Sequence, residues 1–249
     1  MGEKMERVED RLADFTRDKR IFIHSLMALI VGATSAIVAY ILIWLIAVIT
    51  NLAFYQRLSS VFQSPDQHRL GYFAIFVPAI GGLIIGLMAR YGSEKIRGHG
   101  IPEALEAILF GRSRMSPKVA VLKPISSAIS IGTGGPFGAE GPIIMTGGAV
   151  GSLFAQLFHL SSAERRTLLV AGAAGGMSAI FASPVAAVLL AVELLLFEWR
   201  PRSFIPVAIA AASAFALRVP LLGAGPIFPI HPHMALGGEG LAFAFLVGV

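Results

Sequence analysis

Long uncharged stretches set the solvent in which this chain can fold. From Val119 to Leu160 the only formally charged side chains are Lys123 and Glu140, and from Thr167 to Val192 there are none. Residues 21–54 are equally free of Asp, Glu, Lys and Arg. Such runs belong in hydrocarbon, where each ionised side chain carries a large insertion penalty. A hydrophobic fraction of 55% and a mean hydropathy of +0.75 agree with that placement. In a bilayer every backbone polar group must be satisfied internally, so the expected fold class is all-α, a polytopic membrane protein.

The segments differ in length, and the differences carry information. As one helix, residues 21–54 would extend about 50 Å against a hydrocarbon core of about 30 Å, so this helix must tilt or protrude. Residues 71–91 make a second span. Pro102 to Phe110 form a helix too short to cross, followed by segments 117–131, 142–160, 162–182, 184–198 and 203–219. Several fall short of the roughly 20 residues of a full span and are punctuated by Gly, Pro or Ser. A row of such interrupted segments points to discontinuous helices around a binding site near the membrane midplane. The Gly pairs 82/86, 147/151 and 172/176 are expected to let helices pack closely. A Gly/Pro/His-rich loop at 220–238 leads to another apolar helix begun near Glu239.

Residues 1–20 mix both signs of charge in a helical rhythm, which reads as a cytosolic amphipathic helix ahead of a membrane domain at 21–249. The apolar run that follows is too long for the core of a cleaved signal peptide and should remain as an anchor. The net charge of +5 comes from Lys and Arg in short segments such as 90–97, 112–118, 165–166 and 200–202. That is the distribution of cytoplasmic loops, which puts the N-terminus in the cytosol. No basic run carries interleaved aromatics, so nucleic acid is not an expected partner. There is no cysteine, and His231 and His233 have no ligand cluster around them, so no metal, cofactor or catalytic residue is expected. Gly176-Met177-Ser178-Ala179 lacks a histidine base on a later apolar helix, which argues against an intramembrane serine protease.

The chemistry concentrates between Ile129 and Ala149. Glycines 132, 134, 135, 138 and 141 interrupt apolar sequence around one carboxylate, Glu140. An ionisable group at membrane depth is a functional candidate by default, and broken backbone is tolerated there only against protein or a cavity. Pro142 fits the first turn of a helix, with Glu140 and Gly141 just ahead of it. A second element, Gly98-His99-Gly100-Ile101-Pro102-Glu103, has the same design. Two helix N-termini, each with free amides and a positive dipole end, thus converge on one anion, and Glu140 itself can be that anion.

These two elements, with a third at Phe181-Ala182-Ser183-Pro184-Val185 running on to Glu193, resemble the signatures of the CLC chloride channels and chloride/proton antiporters, over about residues 20–249. The resemblance implies a bundle of tilted and discontinuous helices in two inverted repeats, with a pore in each subunit of a homodimer in the plasma (cell inner) membrane. This chain would hold the first repeat and the opening of the second. It would be a voltage-gated chloride channel type of protein, an antiporter, or a half-subunit inactive without a C-terminal half.

The resemblance makes Glu140 the gate. Amides of Ala139, Glu140 and Gly141 would serve an outer anion site, and Gly98, His99 and Gly100 an inner one, with chloride or another small anion as ligand. His99 stands where chloride-selective members usually have serine, and Ala139 where a basic residue is common. Glu193 and Leu194 would lie at the inner vestibule. Leu194 occupies the position of the proton-handling glutamate of antiporters, which favours passive conduction.

Overall fold

The computed structural model describes residues 19–158 and 160–225, with the isolated positions Gly238, Gly240 and Phe245. The expected N-terminal helix, the His231 and His233 loop and the helix from Glu239 lie almost wholly outside the described residues. Within them there are helices and no strand: α1 (Lys19–Tyr55), α2 (Phe76–Tyr91), α3 (Ile101–Leu109), α4 (Pro117–Gly132), α5 (Glu140–Gln156), α6 (Ser162–Phe181), α7 (Pro184–Ala191) and α8 (Pro201–Leu222). Three stretches, 20–55, 71–91 and 201–222, are long and apolar enough to cross a membrane.

The uncharged stretch forms the centre. Every residue from Thr167 to Ile180 of α6 is buried, enclosed by α1, α5 and α8. Its start is fixed locally: the Ser161 hydroxyl accepts from the Glu164 amide at 3.3 Å and the Glu164 carboxylate accepts from the Ser161 amide at 2.8 Å, a reciprocal cap. Ser178 Oγ donates to the Ala211 carbonyl at 2.7 Å, tying α6 to α8.

Glycine sets the closest contact. A Cβ on Gly147 would run into the Gly172 carbonyl, one on Gly172 into the Gly147 carbonyl, and one on Gly151 into the Leu168 carbonyl. Helices α5 and α6 therefore cross backbone to backbone, as small residues permit in a solvent that supplies little hydrophobic drive between helices. The expectation for Gly82 and Gly86 is corrected: nothing lies within 4 Å of a Cβ at either. On α2 it is Gly81 that packs, against Thr133, because most of this helix faces outward and only Gly81 and Ala89 are buried.

Two further boundaries differ from expectation. Helix α5 begins at Glu140, so Gly141 lies inside its first turn and Pro142 is its third residue. The first few amides of a helix have no intrahelical acceptor, so Pro loses nothing there, and Gly141 has no Cβ to clash with the proline ring. The segment expected at 184–198 is α-helical only to Ala191, and Val192–Leu196 form a π turn ended by Phe197 at φ 56°.

Gly172→Val is expected to destabilise the chain by more than about 2 kcal/mol, since backbone occupies the space its side chain needs, whereas Gly86→Ala should be neutral. Thermal unfolding in detergent measures both, and equal melting temperatures for the two variants would contradict the glycine crossing.

Candidate functional site

The site begins with a turn that needs glycine. Gly98 has φ 80° and Gly100 φ 114°, values that strain any residue with a Cβ. The space around Gly100 is closed as well, because a Cβ there would lie 2.5 Å from the Gly141 carbonyl oxygen. In return, a Cβ on Gly141 would strike the His99 carbonyl and ring nitrogen Nδ1. The turn ahead of α3 and the first turn of α5 thus touch backbone to backbone, which brings two helix N-termini side by side.

Two charged side chains hold that turn. Lys123 on α4 is 1% exposed, and its Nζ donates to the carbonyls of Ile96 at 3.0 Å and Gly98 at 2.8 Å. Glu103 in the first turn of α3 reaches back and accepts the Gly100 amide at 2.8 Å. The Gly100 amide is therefore engaged from within the chain. Neither role was assigned from sequence, although each left a signal: Lys123 is the sole cation between Val119 and Leu160, and Glu103 stands three residues after Gly100, the spacing of a reciprocal cap.

Glu140 is exposed at the first position of α5. It lines a cavity of about 280 Å³ with Ile101, Ile144, Met177, Phe181 and Ser183. Ile101 opens α3 and Ser183 precedes α7, so three helix N-termini border the cavity that receives the carboxylate. Among the described residues Glu140 has no ion-pair partner. The surrounding walls are apolar, so amide dipoles and this carboxylate are the features an anion would meet.

His99 is not in that cavity. It lines another, of about 400 Å³, with Arg97, Lys123, Ser126, Ser130 and Pro142. The two N-terminal turns stand between them, so His99, expected at an inner site, and Glu140, expected at an outer one, line separate cavities. Glu193 and Leu194 lie exposed on the π turn, and about ten residues of helical rise place them roughly 15 Å from Ser183. They line neither cavity.

Residues 81–249 match the family described as voltage gated chloride channel. The chain belongs to that family, the CLC proteins. The chain is 31% identical over 194 residues to an H(+)/Cl(-) exchange transporter ClcA of Citrobacter koseri, an alignment covering 75% of this chain and 38% of the relative. A ClcB-like protein of Ralstonia nicotianae is 29% identical over 163 residues, covering 64% of this chain and 38% of that one. The chain thus spans well under half the length of these CLC relatives. Among solved structures, a slow cyanobacterial Cl-/H+ antiporter superposes with a TM-score of 0.64 at 20% identity, covering 90% of this chain and 53% of that one. That superposition confirms the CLC fold.

Lys123→Met removes the donor for two carbonyls and should cost about 1–3 kcal/mol, read as a lower melting temperature together with faster proteolysis between Gly92 and Gly100. An unchanged melting temperature would show that the turn holds without its ammonium.

Proposed function

We propose that this chain supplies the anion-binding half of a chloride-transporting CLC subunit, with Glu140 as the gate. The observation that carries the reading is the exposed Glu140 carboxylate in a cavity bordered by the N-termini of α3, α5 and α7. A carboxylate there competes with a permeant anion for the same amides, and its protonation or displacement leaves the position to chloride. The amides of Ala139, Glu140 and Gly141 serve the outer position. Gly98 and His99 act from the adjoining turn.

The wider reading follows from the same features. Phe181 and Leu190 of the cavity lining, with Val185 and Leu189 of α7, are exposed here, as befits a surface covered by further helices of a longer protein and by a second subunit of a homodimer. Arg20, Arg112, Arg114, Arg165, Arg166, Arg200 and Arg202 gather at the end of the bundle where α1 starts. By the positive-inside bias that end is cytosolic, in a cell's plasma membrane.

Leu194 is apolar and outside the lining of the Glu140 cavity, which supports passive conduction. Exchange is the second reading, supported by relatives that are named exchange transporters. The two differ in one measurement. With residues 20–249 grafted in place of the matching segment of the Citrobacter koseri relative, a chloride gradient should drive no uphill proton movement in liposomes. Gradient-driven proton uptake would establish exchange.

In the same chimera Glu140→Gln fixes the gate in its neutral form. Efflux through the parent should rise as external pH is lowered through the acid range, because protonation discharges the competing anion. Efflux through the variant should be high and flat across that range. A pH profile identical to the parent's would remove Glu140 from the gate.

A further inference from the structure

At the cation-rich end of the bundle, away from the Glu140 cavity, three arginines meet without a carboxylate. Arg165, in the first turn of α6, is 7% exposed, and its Nε donates to the Arg112 carbonyl at 2.9 Å. Arg112 and Arg114 both act on it as neighbouring like charges. Glu164, next in the chain, is committed elsewhere, to the Ser161 amide, to His24 at 3.2 Å and to Arg20 at 3.5 Å. Among the described residues no carboxylate lies within ion-pair distance of Arg112, Arg114 or Arg165. Arg112 and Arg114 reach the surface, but the buried Arg165 charge beside them is costly unless something compensates it.

The arrangement is held rather than incidental. Arg112 and Ser113 carry φ of 50° and 56°, a left-handed backbone that residues with a Cβ adopt only when their surroundings enforce it. The enforcement comes from α5. Ser152 Oγ accepts the Met115 amide at 3.0 Å and donates to the Ser113 carbonyl at 2.7 Å, while Gln156 Nε2 donates to the Met115 carbonyl at 3.2 Å. Arg114 and Arg165 then share a cavity of about 490 Å³ with Gln156, Ser161, Leu157 and Phe158. The last two are large apolar side chains exposed to 78% and 43%. A free inorganic anion would gain nothing from them, whereas a lipid has acyl chains to lay against them.

We propose that this cavity binds the phosphodiester headgroup of an anionic phospholipid. Arg114 and Arg165 face the phosphate, Arg112 adds its field, and Leu157 and Phe158 receive the start of the acyl chains. Basic pockets between membrane helices on the cytoplasmic side are suited to such headgroups.

The test uses the purified full chain in a neutral detergent, with phosphatidylglycerol or phosphatidylcholine of the same acyl chains added and lipid retention read by native mass spectrometry. Phosphatidylglycerol should be retained at least about fivefold over phosphatidylcholine, and Arg114→Gln should lower its retention by about fivefold. Arg112→Gln, also at an exposed position, should act in the same direction if Arg114→Gln folds poorly. Arg69→Gln, at the opposite end, should have no effect, and inorganic phosphate at the lipid's concentration should not displace the lipid. Equal retention of the two lipids, or equal losses from Arg114→Gln and Arg69→Gln, would overturn the site. Displacement by inorganic phosphate would assign the cavity to a free anion and overturn the lipid.

Discussion

The crossing of α5 and α6 at Gly147, Gly151 and Gly172 is the contact on which the other features rest. Lipid tails are as apolar as leucine, so two helices gain little from apolar burial alone and must approach until backbone meets backbone. With α6 enclosed by α1 and α8 as well, α5 has no freedom to slide along it. The depth at which α5 begins is thereby set, and with it the depth of Glu140. A carboxylate at the first position of a helix so anchored can move its side chain while its backbone stays in place.

A second constraint operates where α3 and α5 begin. Two helix N-termini placed together bring two positive dipole ends into one region, which is unfavourable unless negative charge or carbonyl oxygen is supplied. The turn between them does so asymmetrically. Glu103 supplies it on the α3 side, accepting the Gly100 amide, whereas Lys123 adds a positive charge and fixes the turn by the carbonyls of Ile96 and Gly98. What remains uncompensated by the chain faces the cavity that Glu140 enters.

Much of this was legible from the order of residues. The charge-free stretches located α1 and α6, and proline with glycine located the starts of α3, α4 and α7 to within a residue or two. The start of α5 was misplaced by two residues, since proline is allowed anywhere in the first turn and the rule of thumb favours its first position. Gly82 and Gly86 have the spacing of a packing pair, yet spacing cannot say which way a helix faces. The separation of His99 from Glu140 was hidden for a related reason: adjacent motifs were readable, but the wall that their own backbones build between two cavities depends on contacts far apart in sequence. The roles of Glu103 and Lys123 in holding the turn left only faint local marks.

The sparse burial of α2 has a mechanical consequence. With Gly81 and Ala89 its only buried residues, this helix draws little of its orientation from the described part of the chain, and its tilt is left to whatever surrounds its outer face. It connects through residues 92–98 to the turn that Lys123 clamps. Any tilt of α2 is therefore a load applied to one end of a short lever, and the buried ammonium is its fulcrum.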